Sequence, residues 1–249
     1  ELTVEVFLTA GRFGIPLYMA NLPIAGGTGP FTLAGMVQLL HTELLASVVL
    51  CQSAHPGAPM FLHPLAMTMD WRTLLGLCAS IEASMITAGI VQVAHEIFHL
   101  PVDVHGPFSD TLIADTQSML ERTFLVLLPA LAGAASIAGF GDIQEGLAFC
   151  PVQLGLDEEL IGFTLKALEG IPVDDDRLAV EAIRKVGFGG NFMYYTWLHP
   201  WAVGYQWNPM LRAATPMGRH GVLLSRNWYD MWQWVQPWAW LPNDPDPCL

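Results

Sequence analysis

The sequence predicts an α/β fold organised on a parallel sheet, and three observations predict it. Short apolar runs bounded by turn residues recur at Pro59–His63, Pro101–His105 and Ala134–Ala138, and a further one ends at Asn21. Long segments of helical apolar periodicity lie between them. The run ending at Asn21 passes into the next helical segment through a glycine-rich turn carrying polar groups, Asn21-Leu-Pro-Ile-Ala-Gly-Gly-Thr-Gly-Pro-Phe-Thr-Leu-Ala-Gly35, as a β/α unit does when it presents a site. Strand, turn, helix and strand in succession imply parallel strands buried on both faces.

Taken in order, Leu2 to Ala10 reads as the last turns of a helix, and helices follow at Thr32–Ser53, Ile81–His99, Ile113–Leu131, Glu158–Glu169 and Asp174–Val186. Thr32 is a good N-cap. The acidic runs Asp157-Glu-Glu159 and Asp174-Asp-Asp176 precede helices, where a carboxylate caps free N–H groups and complements the helix dipole, so both read as structural. A complete eight-stranded α/β barrel takes about 250 residues. This chain has 249 residues but only four clear strands. The pattern therefore reads as about half a barrel, some four β/α units within residues 1–193, followed by a tail over residues 194–249. The start at Glu1, without a methionine, reads as part of a longer protein.

Composition narrows the function. Hydrophobic residues make up 53% of the chain, enough for a substantial core. Twenty-three acidic against ten basic residues give a formal charge of −13 and no Lys/Arg cluster, which excludes a nucleic acid footprint. Cys51, Cys78, Cys150 and Cys248 are widely spaced, and the first three sit in apolar context, the pattern of reduced thiols in a cytoplasmic protein. No signal peptide opens the sequence. The uncharged run Phe124–Phe140 approaches the roughly 20 residues of a membrane span. Pro129 and Gly133 interrupt it, however, and a helix followed by a buried strand explains the same residues without lipid.

Seven segments in order carry a family resemblance: Leu22-Pro-Ile-Ala-Gly-Gly-Thr-Gly-Pro-Phe-Thr-Leu-Ala-Gly35, His55-Pro-Gly-Ala-Pro59, Met69-Asp-Trp-Arg72, Gly139-Phe-Gly-Asp142, Leu156-Asp-Glu-Glu-Leu-Ile-Gly162, Gly170-Ile-Pro-Val-Asp-Asp175 and Val186-Gly-Phe-Gly-Gly-Asn-Phe192. With these, residues 16 to about 193 resemble the trimethylamine methyltransferase (MttB-like) family. The resemblance implies a TIM-type (β/α)8 barrel and transfer of a methyl group from a methylated amine, such as trimethylamine or glycine betaine, to the Co(I) of a corrinoid protein in one-carbon metabolism such as methanogenesis. The corrinoid (cobalamin) would be carried by that partner, with no cofactor bound directly. Family members are about twice this length, so the resemblance is to their C-terminal half, and either a homo-oligomer or the missing N-terminal half would complete the barrel. Some members carry pyrrolysine in the site. This sequence has none and sits with the relatives that lack it. The resemblance stops near Asn191: eight of the nine tryptophans lie between Trp197 and Trp240, in a tail that departs from the family pattern.

In parallel α/β folds the site forms beyond the carboxyl ends of the strands, and this filter selects few residues. Gly26, Gly27 and Thr28, with Asn21, form a turn whose N–H groups suit a substrate carboxylate; the same glycines also suit a tight turn of positive φ. His63 follows one strand. His105 and Asp110 share the next βα loop, where Asp110 would set the tautomer of the imidazole. Asp142 and Glu145 follow the fourth strand and would attract an alkylammonium ion, with the Phe108 and Phe140 rings adding cation–π attraction. The catalytic candidates are therefore His105, Asp110, Asp142 and Glu145, and the substrate-binding candidates Asn21, Gly26, Gly27, Thr28, His63, Phe108 and Phe140. No metal is expected.

Two alternatives remain at this point. His95-Glu-Ile-Phe-His99 matches the zinc hydrolase pattern H-E-x-x-H, with His105 at the spacing of a third ligand; against it, Pro101 and Val102 replace the expected glycine turn and begin a strand. The other is an inactive half-barrel that docks a corrinoid protein or pairs with another half-barrel, since half a barrel leaves open sheet edges.

Overall fold

In the computed structural model, which describes residues 2–193, the four apolar runs become four parallel strands in chain order. Strand β1 (Leu17–Asn21) pairs with β3 (Met60–Pro64) in the register Leu17↔Met60 to Asn21↔Pro64. A parallel bridge between Leu62 and Val102, with the Leu62 N–H donating to Pro101 O at 3.1 Å, carries the pairing on to β6 (Asp103–His105). Strand β6 in turn pairs with β7 (Ser136–Ala138). The helices α2 (Leu33–Ala54), α3 (Ile81–Val93) and α4 (Thr116–Leu131) connect successive strands. The result is a mixed α/β fold of β/α units; among the described residues no barrel closes.

Alternation along the strands explains where the core sits. Leu17 and Met19 on β1, Leu62 on β3, and Val102 and Val104 at β6 point to one face and join Met36, Leu40 and Leu44 of α2 and Ile86 and Ile90 of α3 in a single buried cluster. Each such side chain removed from water contributes about 1.5–3 kcal/mol. The other face is the more open one among the described residues: Tyr18 is 53% exposed, and Ser136 and Ala138 are exposed. This corrects the expectation of strands buried on both sides. The runs look apolar, but their alternate positions carry Tyr18, His63, Asp103, His105 and Ser136.

Helix starts follow their caps. Ser80 accepts from Ala83 N before α3, Asp115 accepts from Ser118 N before α4, and Asp174 accepts from Arg177 N before the short α6 (Asp175–Leu178). Thr32 is the N-cap of α2 without a side-chain bond. The last predicted helix is split, because Ala179 takes a left-handed conformation (φ 51°) between α6 and α7 (Val180–Val186). α5 (Pro151–Leu168) starts seven residues before the predicted Glu158, so Asp157 lies inside a helix rather than at its cap.

Short strands the sequence did not reveal decorate the ends of the main ones. β2 (Ile24–Ala25), β4 (Met67–Asp70) and β5 (Leu75–Leu77) form a small sheet, and β8 (Asp142–Ile143) pairs with β9 (Ala148–Phe149). Phe124–Phe140 resolves into the end of α4, a turn at Gly133 (φ 99°) and β7. At 22 residues α2 is long and apolar enough to cross a membrane, although Met36, Leu40 and Leu44 on it are fully buried in the core. Cys51 and Cys78 are free thiols as expected, but Cys150 is disulfide-bonded, a pairing that wide sequence spacing does not reveal. Residues up to 158 belong to one compact unit and those from 159 to 193 to a second. The tryptophan-rich tail lies outside the described residues.

Candidate active site

The more open face of the sheet gathers polar and aromatic side chains at the carboxyl ends of its strands. Parallel register places Ala20 beside His63 and Ser136 beside Asp103. His63 Nδ1 lies 2.8 Å from Asp103 Oδ2, and the Ser136 hydroxyl donates to Asp103 Oδ1. Asp103 is only 4% exposed, so both carboxylate oxygens are satisfied by neighbours on its own sheet. The His63 ring meets His105 edge-on at 5.7 Å and Tyr18 edge-on at 5.9 Å. Tyr18 stacks on Phe61 at 5.4 Å.

His105 is held from three sides. Phe108 stacks on its ring at 4.4 Å, and Gly139 leaves no room on another side, since a Cβ there would lie 2.9 Å from Nε2. Asp142 Oδ2 stands 3.7 Å from Nε2, an electrostatic contact longer than a hydrogen bond. Burial, then the neighbouring His63, lower the pKa of His105, with Asp142 and Asp103 opposing. The imidazole is therefore neutral near pH 7.

The loop after β6 is clamped to its surroundings. Glu121 accepts from Ser109 Oγ (2.9 Å) and Asp110 N (3.1 Å), while Ser109 O and Thr111 O accept from Glu145 N and Gln144 N. The Asp110 carboxylate accepts from Cys78 N (3.1 Å) and Ala79 N (3.3 Å). This corrects the predicted pairing of Asp110 with His105: Asp110 ties two loops together, and Asp142 is the acid that faces His105. Burial raises the Asp110 carboxyl, and burial with the charges of Asp110 and exposed Glu145 pushes the Cys78 thiol up to about 12.

The glycine-rich turn satisfies itself. Gly26 N donates to Gly29 O, Gly27 N and Gly29 N to Ile24 O, and Thr28 Oγ1 accepts from Ile24 N at 2.9 Å. These N–H groups point into the turn, so Gly26 and Gly27 do not form the expected carboxylate cradle. Gly26 takes φ 82°, and a Cβ there would lie 2.8 Å from the Trp71 ring. The side chain of Asn21 donates to Glu43 of α2 at 3.0 Å and not to the open face. Phe140 is half-buried in the turn between β7 and β8. Beside the small sheet lies a cavity of ≈ 810 Å³ lined by Phe31, Trp71, Asp70 and Glu82 among others.

The zinc pattern does not assemble. His95, Glu96 and the residues around them form a π-helical turn (Ala94–Phe98) ending at left-handed His99, whose Nδ1 bonds His95 O. His105, at the far end of β6, faces His63 and Asp142 instead. Among the described residues no three His, Cys, Asp or Glu side chains converge as metal ligands.

The site thus unites His63, His105, Phe108 and Asp142 of the predicted residues, and adds Tyr18, Asp103 and Ser136. The period-two alternation in Pro101-Val-Asp-Val-His105 was the signal available for Asp103. The chemistry on offer is that of an aromatic-edged, acceptor-rich surface suited to a small organic cation.

Comparison with known proteins gives this arrangement its context. Residues 2–198 match the profile of the trimethylamine methyltransferase (MTTB) family. The chain is 37% identical over 207 residues to a trimethylamine methyltransferase of Methanosarcina mazei, which covers 83% of this chain and 41% of that protein. It is 36% identical over 189 residues to a trimethylamine methyltransferase of Desulfitobacterium hafniense, covering 76% and 38%. To the glycine betaine methyltransferase of Desulfitobacterium hafniense it is 29% identical over 194 residues, covering 78% and 40%. The chain spans about two fifths of the length of the curated relatives it matches. Its profile match extends over most of its own length, and on that ground the chain belongs to the trimethylamine methyltransferase (MTTB) family of methyltransferase enzymes.

Proposed function

We propose that this chain is part of a methyltransferase that moves a methyl group from a methylated amine, trimethylamine, glycine betaine or a close relative, to the Co(I) of a corrinoid protein. The observation that carries the reading is the cluster of His63, Asp103, His105 and Asp142 with Tyr18 and Phe108 at the strand ends of a chain in this family. The Asp142 carboxylate attracts an alkylammonium ion, and the neutral His105 imidazole does not repel one. In the transfer the C–N bond breaks with its electron pair going to nitrogen, and the amine leaves neutral. The corrinoid is the second substrate and supplies the nucleophile, so the chain needs chiefly to position the methyl group and exclude water. The consecutive parallel strands β1, β3, β6 and β7, with a helix between each pair, support placement in a TIM-type barrel. For the cytoplasmic setting the free thiols at Cys51 and Cys78 speak in favour and the disulfide-bonded Cys150 against.

The visible spectrum of a reduced corrinoid protein, mixed with the chain and a panel of methylated amines and betaines, tests this reading. The expected result is methyl-cobalt formation with one panel member. A folded chain giving none, beside an active full-length relative, rejects activity of this chain by itself. A second reading, that the chain is a docking or pairing module, draws on the more open sheet face with Tyr18 53% exposed. It predicts a stable complex with a corrinoid protein or with another half-barrel but no turnover.

A further inference from the structure

The cluster on the open face contains a hydrogen-bonded chain that methyl transfer itself does not require. Ser136 Oγ–H donates to Asp103 Oδ1, and Asp103 Oδ2 stands 2.8 Å from His63 Nδ1. An ionised carboxylate only accepts, so the proton of this bond belongs to His63 Nδ1. In its neutral form the ring then carries a lone pair on Nε2, and among the described residues that atom makes no hydrogen bond. The His63 side chain is 12% exposed against 6% for Asp103, so the imidazole lies nearer solvent than the acid behind it.

We propose that Asp103, steadied by Ser136, is a positioning residue of the site: it fixes the tautomer of His63 so that this ring presents an acceptor, not a donor, to the cationic head of an alkylammonium ligand. The inference rests on the reading given under the proposed function and adds the residues that set the polarity of that site. Each polar group facing His63 agrees with the assignment. His105 is neutral, Asp142 is an acceptor beyond it, and Tyr18 offers a ring edge and face. With the opposite tautomer His63 would aim an N–H dipole at the cation. The arrangement also distinguishes Asp103 from Asp110, whose carboxylate binds backbone amides and sets no tautomer.

Two measurements on the full chain test this without turnover. The first is the ¹⁵N spectrum of the histidines, assigned through a His63→Gln variant. His63 is expected as the Nδ1–H tautomer at pH 7.5, and a proton on Nε2 would overturn the proposal. The second is calorimetric titration with tetramethylammonium chloride for wild type, Asp103→Asn and Asp103→Ala. Asn keeps an acceptor for Nδ1–H and gives its amide to Ser136 Oγ, while removing the charge. Asp103→Asn is therefore expected to keep the tautomer and bind within about 3-fold of wild type, and Asp103→Ala to bind at least 10-fold more weakly. If Asp103→Asn loses as much as Asp103→Ala while its tautomer is intact, Asp103 acts as a charge and the positioning role is wrong. No binding by folded wild type overturns the proposal as well. Intact tautomer and binding without methyl transfer counts against the proposed reaction alone.

Discussion

Arg122 and Asp157 form an ion pair at 2.8 Å with neither side chain exposed, joining α4 to α5. Asp157 also accepts from Gly141 N (2.7 Å) and Gln153 Nε2 (2.9 Å), and Arg122 Nε donates to Ser118 Oγ. Burial pushes the Asp157 carboxyl up and the Arg122 guanidinium down, and these bonds offset part of that cost. Because Gly141 immediately precedes Asp142, the buried pair also anchors the strand end that faces His105.

Removing one partner leaves a buried, uncompensated charge, which costs about 3–5 kcal/mol. Asp157→Ala is expected to lose this much in urea unfolding, whereas the double variant Arg122→Met/Asp157→Leu recovers a large part of it. A double variant as unstable as the single one would show that the pair contributes more than mutual neutralisation.

Gly139→Ala combines a left-handed backbone (φ 96°) with a Cβ placed 2.9 Å from His105 Nε2. The expected cost is about 1–3 kcal/mol from backbone strain, together with a displaced His105 resonance and weakened tetramethylammonium binding. Gly170→Ala, at φ 66° with open space around it, is the control: it is destabilised by the same mechanism without touching the site. Equal binding in the two variants would contradict the tight fit of His105 against Gly139.

Buried His41 and half-buried His105 both have pKa values below the ordinary imidazole value of about 6.5, desolvation being the leading cause for each. Below about pH 6.5 the unfolded chain takes up protons that the folded chain refuses, so stability is retained above that pH and lost as pH falls through it. Urea midpoints from pH 8 to 5 are expected to show this fall, and His41→Leu to flatten it. Comparing the two proteins at each pH isolates His41 from Asp110 and Asp157, whose raised carboxyls act in the opposite direction. Parallel curves would exclude a neutral, buried His41.

Thr28 accepts from Ile24 N within its own turn. Thr28→Val is expected to lower stability by about 1 kcal/mol and to leave tetramethylammonium and betaine binding unchanged. Loss of betaine binding alone would restore the glycine-rich turn as a carboxylate site.

The main elements were legible because period and punctuation agree along this chain. Pro59, Pro101 and the glycine-rich turn bound the strands, and Asp174 caps a helix where its acidic run was expected to, whereas α4 starts at Thr116 behind the Asp115 cap and not at the expected Ile113. The site was legible in part. His63, His105 and Asp142 stand where strand ends predict, but the partner of His63 lies 40 residues away, and only the register of adjacent parallel strands brings Asp103 to it. Asp157 was misread because Gly155 interrupts the apolar pattern of α5, so its acidic run resembled a cap. The strands β2 and β8, of two residues each, carry no periodicity to detect.

The most direct test of the account places the ligand. With ¹³C-methyl-labelled trimethylammonium bound to the chain, nuclear Overhauser contacts from the methyl protons are predicted to the rings of His63, Tyr18 and Phe108. Contacts instead to Phe31 and Trp71, which line the cavity beside the small sheet, would contradict the assignment of the active site to the open face of the main sheet.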